Sequence, residues 1–276
     1  MKPTLRIVSV VAVVAIAATT AVAQQPDPSA DRTAVSFSDP DRPGTLKVRL
    51  VEGSVSIKGS SRRDVLFTSN SQSGREVLRR RQQAETPPGM RRLTQPAGFG
   101  VEERENEMSV SSGANRQVKL DIEVPMRTRL QVWVVNGGIT VDGVDSEMEI
   151  NTVDGGITLT NVSGSVVAHA VDGRISATIT RVAPQAPMAF TSLNGDLDVT
   201  LPSAVKANLR LRSDQGDVFT DFDVQLTASA NAGKTERNGR AARVDIKRSI
   251  SGTINGGGPD FELRTFEGNV YVRKGK

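Results

Sequence analysis

Apolar and polar residues alternate through most of this chain, and seven times the alternation passes through an acid or amide followed by glycine: Glu52-Gly53, Asn136-Gly137, Asp154-Gly155, Asp172-Gly173, Asn194-Gly195, Gln215-Gly216 and Glu267-Gly268. A period of two sends successive side chains to opposite faces of an extended backbone, so each apolar run predicts a half-buried strand. In the third copy Met148, Ile150 and Thr152 point inward before the turn, and Ile157 and Leu159 after it. Glycine after an acid or amide accepts positive φ cheaply and bends the chain sharply between the two runs. A single such pair would equally open an antiparallel hairpin, and a meander of hairpins is the competing architecture. Here, however, the middle glycines fall at 137, 155, 173, 195 and 216, in steps of 18, 18, 22 and 21 residues. The predicted fold is therefore an all-β, single-chain β-solenoid, β-helix-like, with coils of about 20 residues. Stacked in chain order, the coils align Val55, Ile139, Ile157, Ile175, Leu197, Val218 and Val270 in one internal column. A second column holds Ile57, Val141, Leu159, Ala177, Val199, Thr220 and Val272.

The pattern also divides the chain. Residues 1–23 combine Lys2 and Arg6, an apolar run from Ile7 to Ala18 and Ala21-Val22-Ala23, the three parts of a secretory signal peptide. That run is shorter than the roughly 20 residues of a membrane span. Residues 24–34, rich in Pro, Asp and Ser, read as a disordered tether, and residues 35–276 as the solenoid domain. Within the domain the expected order is a first unit from Leu46 to Ile57, a strand from Asp64 to Ser69, a basic loop over 71–98, and strands from Phe99 to Val110 and Val118 to Val124. Near-unbroken coils then run from Leu130 to Phe222, with an insertion at Pro184 and Pro187. A second loop over 228–243, a strand from Val244 to Ile250, and a glycine-rich turn from Asn255 to Pro259 precede the last unit, Phe261 to Val272.

Composition narrows the function. The chain has no cysteine, which excludes disulfides and thiolate metal sites although export would permit disulfides. Its formal charge of +4 falls to +2 once Lys2 and Arg6 leave with the signal peptide, too little to favour nucleic acid as a partner. One stretch stands apart: Arg75, Arg79, Arg80, Arg81, Arg91 and Arg92 face only Glu76 and Glu85. Clustered arginines attract anionic material such as lipid head groups or acidic glycans, and Arg79, Arg80 and Arg81 are the candidate contacts. A solvated surface excursion is the plainer alternative.

The run from Leu46 to Val55, the strand from Asp121 to Pro125 leading into Leu130, the chained Asn/Asp-Gly-Gly-Ile-Thr units and the late turn from Asn255 to Pro259 occur in an order that resembles a known bacterial family. That family is the domain of unknown function labelled "putative adhesin", also described as toastrack-like, and the resemblance covers Ser36 to Arg273. It implies a β-solenoid of exported or envelope proteins, some of them associated with envelope-stress systems, and it carries over no catalytic residues.

Candidate chemistry is sparse. The only histidine, His169, projects outward from a strand, and one His without Cys cannot form the usual zinc set. Asp196 and Asp217 occupy matching outward positions in consecutive units. Such carboxylates could act as an acid and base pair about 5–10 Å apart, could share a hard cation, or could simply keep an edge soluble. No catalytic residue, metal ligand or cofactor is assigned. The sole tryptophan, Trp133, points outward, either to stack on a sugar or, as expected here, to lie beneath the preceding β segment. The residue before each turn acid or amide is usually large and apolar: Val51, Val135, Val153, Val171, Leu193 and Phe266. Either the bend tucks this column into a corner of the core, or it forms an exposed docking stripe with Val135, Val153, Val171 and Leu193 at its centre.

The resulting expectation is a non-enzymatic, exported envelope protein, periplasmic, cell-surface or secreted, acting as an adhesin-like structural or interaction module. Its expected partners are an envelope protein, a glycan or an anionic surface, with self-association possible. An envelope-stress sensing module and a carbohydrate-active β-helix enzyme are the alternatives.

Overall fold

The computed structural model describes residues 31–69, 99–112, 118–227, 234–238, 241–245 and 249–275. Each apolar run in this range forms a strand, and strands of successive coils pair in parallel and in register. Ile157 lies between Ile139 and Ile175, and Ile175 in turn lies beside Leu197. This excludes the hairpin meander. Each rung gives one strand to each of two facing parallel sheets, with the acid-glycine turn between them. The long strand Thr45–Ser60 is a whole rung by itself, passing from one sheet into the other through Glu52-Gly53. The inward columns meet in a single apolar core.

Rung order departs from chain order at both ends. In space the rungs run Glu107–Ser112 with Val118–Pro125, Thr45–Ser60, Arg129–Asn136 with Ile139–Asp142, Met148–Asp154 with Ile157–Ser163, then Val166–Asp172 with Ile175–Arg181. They continue with Met188–Asn194 and Leu197–Leu201, then Asp260–Glu267 and Val270–Lys274, and last Ala207–Ser213 and Val218–Thr220. The C-terminal unit is thus inserted between two units that are consecutive in the chain. Val270, not Val218, follows Leu197 in the first column, and Val272 follows Val199 in the second. At the other end Leu120 and Ile122 extend the two columns past Val55 and Ile57.

Antiparallel strands close both ends, where a parallel stack would otherwise expose free edges. Asp64–Ser69 pairs with Val118–Pro125 and Phe99–Arg104 with Glu107–Ser112. The single strand expected from Phe99 to Val110 is therefore a hairpin, folded at Glu105 and Asn106, which both adopt positive φ without glycine. Asp31–Ser36 pairs with Asp64–Ser69 and so takes in the last four residues of the expected tether, drawn by the backbone groups of an otherwise open edge. At the far end Ser249–Ile254 covers Ala207–Ser213, and Val224–Leu226 pairs with Ser249–Ile254. The expected loop over 228–243 holds a hairpin of Lys234–Asn238 and Ala241–Asp245, whose second strand takes in Val244 and Asp245 of the strand expected from Val244 to Ile250, while Ser249 and Ile250 open the separate strand Ser249–Ile254. The signal peptide and the basic loop with Arg79, Arg80 and Arg81 lie outside the described residues.

Two ladders fix the turns. A Cβ placed on Gly155 would meet the carbonyl of Gly137 one rung away, and Gly155 also sits at φ +139, so both contact and conformation demand glycine. Beside this glycine ladder runs a row of buried hydroxyls, each donating to the turn carbonyl of the preceding rung. Thr152 Oγ1 reaches Gly137 O at 3.3 Å, Ser192 Oγ reaches Gly173 O at 3.0 Å, Thr265 Oγ1 reaches Gly195 O at 2.9 Å and Ser213 Oγ reaches Gly268 O at 2.7 Å. The last two bonds follow the spatial order of rungs rather than the chain order. Where the slot holds Thr or Ser, its hydroxyl thus caps a carbonyl that the sharp bend would leave unpaired; Leu50, Val134 and Ala170 fill the same slot by packing alone.

Candidate interaction surface

The last inward position before each turn, held by Leu50, Val134, Thr152, Ala170, Ser192, Ser213 or Thr265, is buried and already fills the corner of the core. Val153 therefore continues the period of two and points outward after Thr152, as Leu193 does after Ser192 and Phe266 after Thr265. Val51, Val153, Val171, Leu193 and Phe266 are exposed, at 39–48 % of their surface, and Val135 is half-buried. The corner-packing alternative is thereby overturned. Register places these residues in one column, in the order Val51, Val135, Val153, Val171, Leu193, Phe266, closed by Asp214 on the last rung. Five steps of roughly 4.8 Å make the column about 24 Å long.

The turn acids and amides form a second exposed column directly beside it: Glu52, Asn136, Asp154, Asp172, Asn194 and Glu267. Asn194 Nδ2 donates to Asp172 Oδ1 at 2.6 Å, which satisfies one carboxylate within the column. The edge of the solenoid is therefore a ridge, apolar on one flank and acidic on the other.

The Asp196 and Asp217 pair does not assemble as an acid and base. The inserted C-terminal rung places Asn269 between them: Asp196 Oδ1 accepts from the Asn269 backbone N–H at 2.8 Å, and Asn269 Oδ1 accepts from the Asp217 backbone N–H at 2.9 Å. Arg174 Nη2 donates to Asp196 Oδ2 at 2.7 Å. The Asn269 N–H, ahead of the Arg174 guanidinium, holds the Asp196 carboxyl below the usual carboxylate range against a smaller opposing effect of burial. A carboxylate so engaged is a poor proton donor at neutral pH. Asp198 is occupied by Arg273 at 2.7 Å and Asp214 by Arg212 at 2.8 Å. Among the described residues no three His, Asp or Glu side chains converge as a metal site would require.

His169 is exposed on the outer face, as its alternation indicates. Trp133 is also exposed, at 53 %, and none of the described preceding segments covers it. Those described segments cap the stack by adding a rung and edge strands at its end, which covers the top of the core and leaves the outer faces uncovered by them. Trp133 stands between Arg49 and Asn151 of the flanking rungs. No alternation signal distinguishes a covered outward tryptophan from an open one, because the cover depends on where a distant segment docks.

The family comparison agrees with this architecture. The profile of the Toastrack DUF4097 family matches residues 40–255. Among proteins of curated function none matches. Two solved structures are similar over most of the chain. One is a "putative cell adhesion protein" from Clostridium sporogenes, 11 % identical, covering 89 % of this chain and 100 % of its own with a TM-score of 0.42. The other is a "putative adhesin" from Bacteroides fragilis, 10 % identical, covering 90 % of this chain and 98 % of its own with a TM-score of 0.36.

Proposed function

The chain belongs to the Toastrack DUF4097 family, and we propose that it is an exported, non-catalytic, adhesin-like interaction module of the cell envelope that docks a partner protein along the ridge. The observation that carries this reading is the column of exposed Val51, Val153, Val171, Leu193 and Phe266 on a rigid parallel scaffold. Contiguous apolar side chains kept in water cost free energy unless a partner covers them, and large exposed apolar patches mark interaction sites. The acidic flank of Glu52, Asp154, Asp172 and Glu267 favours a partner that sets cationic groups beside an apolar strip. It disfavours a second copy of this ridge, which would bring like charges together.

Substituting Val153 and Val171 by Asp tests the reading. Both side chains are outward, so the double variant keeps its thermal stability within a few degrees while cross-linking to envelope proteins of the producing cell is lost. Unfolding of the variant would place the column in the core, and unchanged cross-linking would remove the ridge from the interaction. Sedimentation of the purified chain separates the remaining case, since a dimer abolished by the same substitutions would make the partner a second copy.

A further inference from the structure

One column inward from the apolar stripe, the outer face carries a set of groups that the ridge does not use. We infer that Trp133 and its neighbours form a binding subsite for a single sugar ring. Trp133 is the only tryptophan of the chain and is 53 % exposed. It projects from the middle of the strand Arg129–Asn136, held on both sides by parallel partners, so its position is fixed by a ladder rather than by a loop. Beside the indole lies a shallow depression of about 180 Å3 lined by Lys47, Arg49, Gln131, Glu149 and Asn151.

The donor and acceptor set decides the ligand class. Arg49 offers only donors, Glu149 only acceptors, and the amides of Gln131 and Asn151 offer both. Arg49, Gln131, Glu149 and Asn151 make no side-chain hydrogen bond or ion pair with the described residues, whereas Lys47 is engaged by Glu107 at 2.6 Å. An anionic head group or nucleic acid would be met by donors alone and repelled by Glu149. A protein reaching across from the apolar stripe would have to pair the polar Arg49 and Asn151 that flank the tryptophan on both neighbouring rungs. A pyranose matches on both counts: its hydroxyls donate and accept, and its C–H face lies flat on an indole as apolar surface does. One aromatic platform of this size accommodates one ring, and a ligand of about a dozen heavy atoms gives a dissociation constant on the order of 1 mM. This inference goes beyond the docking ridge and does not depend on it.

Because Trp133 is the sole tryptophan, tryptophan emission of the intact chain, excited beyond the absorption of Tyr271, reports this site alone. The methyl glycosides of glucose, galactose, N-acetylglucosamine and glucuronic acid are titrated in turn, each to well above the expected dissociation constant. At least one produces a saturable shift in emission, and Arg49→Ala or Asn151→Ala weakens it about tenfold. Ligand-detected saturation-transfer NMR shows the same glycoside losing contact with Trp133→Ala, a surface variant that retains the wild-type melting temperature. The absence of a saturable response to all four glycosides would overturn the proposal, as would a response insensitive to both Arg49→Ala and Asn151→Ala. Cross-linking through Val153 and Val171 is measured on separate variants, so either site can fail while the other stands.

Discussion

Three alanine substitutions separate the two reasons for glycine at the turns. Gly256 has φ +86 and nothing within 4 Å of an added Cβ, so Gly256→Ala carries the conformational cost alone, about 1–2 kcal/mol. Gly173 has a φ outside the left-handed range, but its added Cβ meets the Gly155 carbonyl. Gly173→Ala therefore carries the steric cost alone, and because the obstacle is backbone of a packed rung it cannot swing aside, giving about 1–3 kcal/mol. Gly155 combines φ +139 with a contact to the Gly137 carbonyl. If the two effects add, Gly155→Ala costs about 2–5 kcal/mol, a fall in Tm on the order of 4–20 °C for a domain of this size. Urea denaturation followed by far-UV circular dichroism measures all three. A Gly155→Ala no more destabilised than Gly256→Ala, together with a neutral Gly173→Ala, would refute the close approach of backbones at the turn.

Core and turn substitutions give further outcomes. Ile157→Ala empties part of a fully buried column and lowers stability by about 2–5 kcal/mol in the same urea assay, whereas Ser213→Ala strands the Gly268 carbonyl and costs about 1–3 kcal/mol. Asp196 has a folded pKa below its unfolded value, so its contribution is present above the unfolded carboxylate pKa near 3.9 and is lost as pH falls through the lower folded value. Melting of Asp196→Asn against wild type from pH 2 to 6, in the vicinity of that pKa, shows a smaller acid-side loss in the variant. Neutralising Arg79, Arg80 and Arg81 together weakens binding to anionic vesicles at low salt, and vesicle co-sedimentation equal to wild type would dismiss a role for the basic stretch.

What could be foreseen from the sequence was whatever depends on alternation. The inward pairs such as Val55 and Ile57, or Ile157 and Leu159, follow from the period of two, and a shared step made their stacking foreseeable. Which rung neighbours which is a non-local property. Phe261 to Val272 has the same pattern as every other unit, so nothing in it announces that it enters between Leu197 and Val218. The hydroxyl of Thr265, in the slot also held by Ser192 and Ser213, fits any position in the stack. The hairpin at Glu105 and Asn106 escaped because it reverses the chain without glycine, with Asn106 tolerating positive φ. The apolar column was visible as Val51, Val153, Val171, Leu193 and Phe266, but its exposure turned on the corner being filled already by Leu50, Thr152, Ala170, Ser192 and Thr265. The Asp196 and Asp217 pairing failed for the same non-local reason, with Asn269 arriving from more than fifty positions away.

Hydroxyl-radical footprinting of the chain, free and then incubated with the envelope fraction of the producing cell, bears most directly on the docking ridge. The account predicts that Leu193 and Phe266 are oxidised readily in the free chain and protected in the complex, while Leu197 and Phe261, buried on the same rungs, stay unreactive in both. Protection of Leu193 and Phe266 already in the dilute free chain, or equal oxidation with and without the envelope fraction, would contradict it.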